Sequence, residues 1–481
     1  MTDVLLGIDV GLSALKVAAF DAQGRLVACG QAGYTTERPA PGLVEQDPEA
    51  WIDLAGGIVR RLLAEGGFRA DDVSGIAPSA RGSGTVFVDA DGRALANHWL
   101  DDRNGRQYRA LVERFGPEAD NRAQASKTLH FKERHPELFA RLAHVLCVHD
   151  FLLYRLTGQV ATDPSSGPRN PGATWPTDVW SYIGATPPPI RPHTDLIGRL
   201  IPATAERLGL PPGIPIANGG HDGACANVGA GAIGVGHVCL TMGTNAVARS
   251  IAADRPDGQP PAPQVPWRGI SAYHFLPGRW CCGGDANHAG AAATWLARAL
   301  REGHEVLEAE ARRVPPGSNG VVFLPFLGGQ IAPERRPAAR AAYLGMAAET
   351  GRGELYRATM EGVAYLYRSI AHRLEELGLC QPGGEWRVSG GGARNQQWME
   401  IMASLVERPL AIGEPEEGPR GAAMLTVVAL GWYPSVEAAA ADWVRTVRRV
   451  EPDPRLTDAY LPHYDRYRRL AEAVHAVEGG T

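Results

Sequence analysis

Cysteine is scarce in this chain, with 7 among 481 residues, and no two are spaced as Cys-x2-Cys. That argues against a disulfide framework and against a zinc ribbon, and scattered free thiols in a reducing compartment fit instead. Long hydrophobic runs are also missing, since no apolar stretch reaches the roughly 18 residues a membrane helix needs. Met1-Thr2-Asp3 leads straight into a strand-like run with no basic n-region, so the expected setting is cytoplasmic, with no membrane partner. Neither charge dominates. The 48 Lys and Arg against 53 Asp and Glu leave a formal net charge of −5, without the basic surplus of a nucleic-acid binder or the acidic run of a solvating tail. Low-complexity sequence is absent. What is present is 44% hydrophobic residues, ample for a core, in a chain too long for one core, which suggests two domains.

Two glycine-rich turns stand near opposite ends: Asp9-Val10-Gly11-Leu12-Ser13-Ala14-Leu15-Lys16 and Gly391-Gly392-Ala393-Arg394-Asn395. Both suit one nucleotide, which then lies in a cleft between lobes. The first turn follows the apolar run Leu5 to Ile8 and leads into Leu15 to Phe20, with Arg25 to Cys29 as a third strand. A strand-turn-strand with Gly11 at its tip brings backbone N–H groups close to phosphate, with Ser13 as hydroxyl donor and Lys16 as cation. It is not a P-loop, which needs Gly-x4-Gly-Lys-Ser/Thr opening a helix. Standing alone, this stretch reads equally well as an ordinary hairpin.

Asp47-Pro48 marks a helix start, with Asp as N-cap, followed by Trp51, Ile52, Ala55, Ile58, Val59, Leu62 and Leu63 on one face. Val73 to Ile76 and Thr85 to Asp89 read as strands, so the architecture is α/β. Residues 120–210 have weaker periodicity and a patch at Pro187-Pro188-Pro189, read as an irregular insertion or lobe edge. A strand at Pro211 to Ala217 leads to Gly219-Gly220-His221-Asp222. Then His237 to Thr241, Met242-Gly243-Thr244-Asn245 and Ala246 to Arg249 repeat the opening strand, glycine turn, strand layout, as a duplicated fold would, and the domain boundary falls close to Gly243. Further helices are expected at Ala292, Trp295, Leu296 and Ala299, at Leu355 to Leu377, and after Gly390-Gly391-Gly392, with Trp398, Ile401, Met402 and Leu405 buried.

Taken together, these motifs resemble the FGGY carbohydrate kinases, the xylulose, ribulose, gluconate, glycerol and polyol kinases on the actin and hexokinase fold. The resemblance runs along essentially the whole chain. The family's first phosphate turn matches Asp9, Gly11, Ser13 and Lys16, with Leu12 replacing its usual threonine. Its Trp-x-Asp-x-Arg matches Trp99, Asp101 and Arg103, and its Asp-Tyr-Leu with Leu-Thr-Gly resembles Asp150-Phe151-Leu152 with Leu156-Thr157-Gly158. Its catalytic aspartate matches Asp222, its second phosphate turn Gly243-Thr244, and its adenosine turn Gly390, Gly391 and Asn395, supported by Gly421-Ala422-Ala423. The sugar pocket departs from the pattern. Arg81-Gly82-Ser83-Gly84 stands where xylulose kinases carry Gln-Met-His-Gly and glycerol kinases Gln-Arg-Glu, and it looks more like the L-xylulose and polyol kinase pattern, with Arg81 replacing glutamine.

The resemblance implies two actin/hexokinase-like (ribonuclease H-like) domains, 1–243 for sugar and base and 244–481 for nucleotide, with the active site between them. ATP and Mg²⁺ are the implied cofactors. Gly11, Ser13, Lys16, Gly243 and Thr244 would hold phosphates, Gly290, Thr294, Gly391, Gly392 and Asn395 the adenosine, and Asp9 the metal. Arg81, Gly82, Ser83, Asp101 and Asp222 would line the site of a small sugar or polyol, and a homodimer is compatible. Asp222 is the candidate base for the attacking hydroxyl; its other reading is an Asx-turn or N-cap. His221 reads as a supporting residue. Arg81 either forks onto the substrate or salt-bridges Asp101 or another wall carboxylate. Gly290 can equally serve helix packing, and Cys281-Cys282 reads as buried structure rather than a metal site. The expected reaction is ATP-dependent phosphorylation of a ketopentose such as xylulose. Alternatives are a sugar-acid or polyol substrate (gluconate, L-xylulose, erythritol or xylitol) and a non-catalytic sugar sensor.

Overall fold

The computed structural model describes residues 3–11, 14–40, 43–82, 84–98, 103–120, 123–243, 245–257, 259–261, 269–286 and 289–478. The expected opening hairpin forms from β1 (Val4–Val10), β2 (Ala14–Asp21) and β3 (Leu26–Gly33), paired antiparallel in sequence. Both faces of β1 are buried. Leu6, Ile8 and Val10 enter one core and Leu5 another, as expected of a sheet covered by helices on both sides. Helix Pro48–Ala64 starts as expected, with the Asp47 carboxylate accepting from Glu49 N at 2.9 Å. Its Trp51, Ile52, Ile58, Val59 and Leu62 are buried where the helix packs against β2 and β3, each worth about 1.5–3 kcal/mol of apolar burial.

The remaining strands of the first lobe are β4 (Val73–Ala80), β5 (Thr85–Asp89), β6 (Ala94–His98), β7 (Leu142–Leu146), β8 (Leu196–Arg199), β9 (Pro215–Ala217) and β10 (Gly220–His221). The main sheet runs β3-β2-β1-β4-β9-β8, with β10 also paired to β4. The second lobe opens with β11 (Val238–Met242), β12 (Ala246–Ala253), β13 (Ile270–His274) and β14 (Arg279–Ala286). It continues through β15 (Val322–Leu324), β16 (Ala342–Leu344), β17 (Trp386–Ser389), β18 (Leu410–Gly413) and β19 (Thr446–Val450). Its sheet runs β13-β14-β12-β11-β17-β18-β19. In each lobe an antiparallel hairpin continues into parallel strands, β1-β4-β9 in one and β11-β17-β18 in the other. The duplication expected from the two glycine hairpins is therefore present in the topology.

One expectation needs correction. Residues 120–210 are more regular than their periodicity suggests, holding helices Gln124–Arg134, Val148–Thr157, Thr177–Ile183 and Pro202–Leu208 as well as β7 and β8. The first of these hides from hydropathy because its buried face carries Ser126, Lys127 and Thr128. Their polar groups are satisfied: Ser126 Oγ accepts from Asn104 Nδ2 at 2.6 Å, Lys127 Nζ donates to His98 O at 3.2 Å, and Thr128 Oγ1 donates to Gln124 O at 2.7 Å. The helix expected around Ala292 forms as Ala289–Leu300; it buries Ala292, Ala293, Leu296 and Ala297, while Trp295 is 37% exposed.

Helix Glu417–Ala429, late in the chain, packs against helix Asp222–Gly229 and strands β1 and β4. Glycine makes this approach possible. A Cβ on Gly421 would sit 1.8 Å from Cys225 O, and one on Gly229 would sit 1.9 Å from Glu417 O. The Gly421-Ala422-Ala423 segment, expected to support the adenosine turn, thus packs directly on the helix that starts at Asp222. Among the described residues no helix is long and apolar enough to cross a membrane.

Candidate active site

The first phosphate turn is built by the β1–β2 register, which pairs Asp9 with Lys16 and Val10 with Leu15. Gly11 N donates to Ala14 O at 3.1 Å, and the Tyr34 hydroxyl donates to Gly11 O, pinning the tip from the side. Leu12 and Ser13 lie outside the described residues. Lys16 Nζ is 3.3 Å from Glu416 Oε2. Burial works to lower the Lys16 ammonium's pKa, but Glu416, Glu417 and Asp9 outweigh it and raise it above the ordinary value. Asp9 ends up beside Ser79 through the parallel β1–β4 register, and Ser79 Oγ donates to Asp9 Oδ1 at 2.5 Å. Burial pushes the Asp9 carboxyl up to about 7; Ser79 and Lys16 oppose the rise, and the Asp222 and Glu417 carboxylates add to it.

The candidate base is set at the same strand ends. β10 runs parallel to β4, pairing Gly220 with Ser79 and His221 with Ala80, and helix Asp222–Gly229 begins at once. Gly219 has φ +70° and lies where a Cβ would be 2.0 Å from Pro78 O, so only glycine fits this bend. His221, not Asp222, caps the helix: its Nδ1 accepts from Gly223 N at 3.1 Å. Asp222 occupies the first helical turn, where the macrodipole favours an anion, and its Oδ1 also accepts from Gly223 N at 2.7 Å. Burial tends to raise the Asp222 carboxyl, but His221, Arg81, Arg249 and the Gly223 N–H together hold it below the ordinary carboxylate value.

Arg81 follows β4 directly, beside Asp222. Gly82 lets this segment lie close, since a Cβ there would stand 3.1 Å from His221 Cδ2 and from Ser166 Cα. Ser83, Trp99 and Asp101 lie outside the described residues. Arg103 is half-buried and ion-paired, its Nη1 2.8 Å from Glu45 Oε1.

The second lobe adds groups that motif reading missed. A Cβ on Gly223 would meet the Tyr273 hydroxyl at 2.6 Å and Arg249 Nε at 2.8 Å, so both side chains reach across the cleft to the residue after the base. The Tyr273 ring lies 4.9 Å from the His221 ring. Arg249 Nη1 donates to Thr241 Oγ1 at 3.1 Å. Burial tends to lower the Arg249 pKa, but Tyr273, Cys239, Cys281 and Asp222 raise it, so it stays charged. Asp285 on β14 is raised to about 6 by burial, with Arg81 and Arg249 opposing and Asp222 adding.

Beneath the base lies a buried polar network. Asp163 Oδ1 accepts from Ser165 N at 2.7 Å, and Ser165 Oγ accepts from His221 N at 3.1 Å. His149 Nδ1 is 3.5 Å from Asp163 Oδ2, and its Nε2 contacts Asn218 O at 2.6 Å. His193 Nδ1 contacts Gly219 O at 2.8 Å, and its Nε2 reaches Phe275 O of the second lobe at 3.2 Å. The bend that carries Asp222 is thus held from below by side chains distant in sequence.

On the nucleotide side, Gly243 N donates to Asn245 O at 2.9 Å, and Thr244 lies outside the described residues. Gly390, with φ +90°, crosses the end of β11 where a Cβ would be 2.5 Å from Met242 O, bringing the second glycine turn against the second phosphate hairpin. A Cβ on Gly391 would meet nothing within 4 Å, so this face of the turn is open to a flat ring. Asn395 caps helix Gln396–Val406: its Oδ1 accepts from Trp398 N at 2.9 Å, and its Nδ2 donates to Met360 Sδ at 3.6 Å. The turn is therefore shaped by Asn395; Gly391 offers the open surface, while Gly392 packs on Met242, where a Cβ would stand 3.1 Å from Met242 Cβ. Gly290 is half-buried near the start of helix Ala289–Leu300 and Thr294 is exposed on it. Cys281 and Cys282 are buried, and among the described residues neither belongs to a group able to ligate a metal.

Two ribonuclease H-like lobes, a glycine hairpin from each, and a carboxylate between them define a phosphotransferase of the actin and hexokinase architecture. Residues 4–229 match the N-terminal domain of the FGGY family of carbohydrate kinases and residues 239–430 its C-terminal domain, and the chain belongs to this family. It is 28% identical to the xylulose kinase of Bacillus subtilis (strain 168) over 97% of this chain and 96% of that one. With the gluconokinase of the same organism it shares 26% identity over 94% of this chain and 92% of the relative. The crystal structure of gluconate kinase from Lactobacillus acidophilus shares its fold, with a TM-score of 0.86, 22% identity and 100% of each chain covered. The protein is an ATP-dependent carbohydrate kinase.

Proposed function

We propose that the acceptor is a neutral ketose or polyol, with a ketopentose such as xylulose the leading choice, and that Asp222 takes the proton of its attacking hydroxyl. The observation that carries this reading is the setting of Asp222. It is a carboxylate held ionised at a helix start, flanked by Arg81 and Arg249, at the strand ends that also carry the Asp9 phosphate turn. An ionised carboxylate within hydrogen-bond reach of a sugar hydroxyl is what a general base in phosphoryl transfer requires.

Asp9 is the residue we assign to Mg²⁺. Its carboxylate is a hard oxygen donor; burial is the main cause of its raised pKa, and the nearby Asp222 and Glu417 carboxylates add negative charge that a divalent cation offsets. When bound, Mg²⁺ would neutralise charge on the β- and γ-phosphate oxygens. Lys16 and the Gly11 backbone hold phosphate from the first lobe, Gly243 and Thr244 from the second, and Gly391 and Gly392 flank the adenosine. We place the lobe boundary a few residues before Gly243, between helix Asp222–Gly229 and β11, because β11 already belongs to the second sheet. Closure of the lobes then shuts out water, which otherwise competes as acceptor.

A sugar acid is the second reading, favoured by the Arg81 guanidinium, which suits a carboxylate fork, and by relatives named gluconokinase. Coupled ADP release across ketopentoses, polyols and aldonates distinguishes them. A neutral ketopentose as the strongest acceptor supports the first reading, and gluconate as the strongest replaces it with the second.

A further inference from the structure

We propose that Asp285 is a specificity-determining residue of the acceptor site, receiving hydroxyl hydrogens of a neutral polyhydroxy substrate opposite Arg81 and disfavouring an aldonate. The inference deepens the kinase reading above and rests on it.

The register of the second sheet carries the geometry. Tyr273 pairs with Cys281 across β13–β14, while Arg249 pairs with Gly283 and Val247 with Asp285 across β12–β14. Directly opposed residues share a face, and so do residues two apart on one strand. Tyr273, Arg249 and Asp285 therefore project from one face. That face meets the base, because Tyr273 and Arg249 both close on Gly223. Gly283 makes room for this row: a Cβ there would stand 3.1 Å from Arg249 Cγ. Asp285 extends the row, with Arg81, Arg249 and Asp222 as its charged neighbours.

Two polar atoms where this row faces Arg81 of the first lobe ask for a ligand. Among the described residues, Arg81 Nε and Asp285 Oδ1 are buried with no hydrogen-bond partner. Leaving such atoms unpaired in a folded protein is costly, and in a cleft a bound molecule can complete their hydrogen bonding. One is a donor and the other an acceptor. Adjacent hydroxyls of a ketose or polyol serve both, since each hydroxyl donates and accepts. Charge decides between acceptor classes. Arg81 and Arg249 are balanced by Asp222 and Asp285, so a neutral substrate leaves the site compensated. An aldonate adds a negative charge opposite the Asp285 carboxylate, where it is uncompensated.

The experiment compares kcat/KM for D-xylulose, L-xylulose, D-ribulose and xylitol with that for D-gluconate, in the wild type, Asp285→Asn and Asp285→Ala, by coupled ADP release. The wild type is expected to favour a neutral acceptor over gluconate by at least about tenfold. Both variants should shrink that ratio by about 10- to 100-fold, the worth of a charge-assisted hydrogen bond, mainly by raising KM for the neutral acceptor. The ratio is the readout, so a general loss of folded enzyme does not mimic the effect. A wild type that prefers gluconate overturns the inference and leaves the kinase intact, whatever the variants do. A ratio unchanged in both variants also overturns it. ADP release with no acceptor of either class removes the proposed acceptor reading as well.

Discussion

Asp9 and Asp222 are two carboxylates in one cleft whose surroundings push them in opposite directions, and that split suits the proposed division between a charge-sensitive phosphate-side residue and a base that stays ionised. Asp9 has a consequence for stability. Because its folded pKa is raised to about 7, the fold holds its proton more tightly than the unfolded chain does. The resulting stabilisation is full below the ordinary carboxylate range and lost as pH rises through about 7. Asp9→Asn should therefore unfold at higher denaturant than the wild type at pH 8 in the absence of nucleotide, by on the order of 1–3 kcal/mol, with the difference closing near pH 4. Parallel stability curves across that range would count against the buried, charge-crowded setting. For Lys16, held near the phosphate turn by Glu416, replacement by alanine should raise KM for ATP and lower kcat, each by about tenfold or more. Unchanged ATP kinetics would remove Lys16 from the phosphate site. At this scale the sequence was most informative where a motif marks a turn, as with Asp9, Gly11, Lys16 and Asp222. Arg249, Tyr273 and Asp285 were illegible because their meeting depends on strand register across β12, β13 and β14, which no local pattern encodes.

Among the elements, the closest packing joins helix Glu417–Ala429 to helix Asp222–Gly229. Gly421→Ala would put a methyl group into the Cys225 carbonyl, and we expect a loss of about 1–3 kcal/mol in unfolding free energy, with kcat falling as the base helix shifts. A midpoint equal to wild type in chemical denaturation would show that the helices part without cost. The buried network below the bend gives a second expectation. Burial tends to raise the Asp163 carboxyl, but His149, His193, Ser165 and Ser166 hold it far below the ordinary value. Its contribution is thus present at neutral pH and lost only as pH falls below the ordinary carboxylate range. Asp163→Asn should cost about 3–5 kcal/mol at pH 7, with the gap to wild type narrowing in strong acid; a gap independent of pH would contradict this account. Elements with plain periodicity, the opening hairpin and helix Pro48–Ala64, were readable in advance. Helix Gln124–Arg134 was not, because buried Ser126 and Lys127 are satisfied by distant partners and Thr128 by its own helix, so all three look like surface in sequence.

For the whole molecule, the cleft draws on both lobes: Asp9, Arg81 and Asp222 from the first, and Arg249, Tyr273 and Asp285 from the second. The duplicated topology was legible from the two glycine hairpins, since a strand, turn, strand unit carries its pattern locally. Insertion of the Glu417–Ala429 helix beside the first lobe's base was not legible, because it joins segments nearly 200 residues apart in sequence. The central claim is that this cleft transfers phosphate to a sugar hydroxyl with Asp222 as base. Its most direct test is MgATP-dependent phosphorylation of a neutral ketopentose by the wild type and Asp222→Ala side by side, with folding of the variant checked by thermal unfolding. The account predicts turnover in the wild type and a kcat lower by about 10²- to 10⁴-fold in the variant, and a folded Asp222→Ala enzyme with near-wild-type kcat would contradict it.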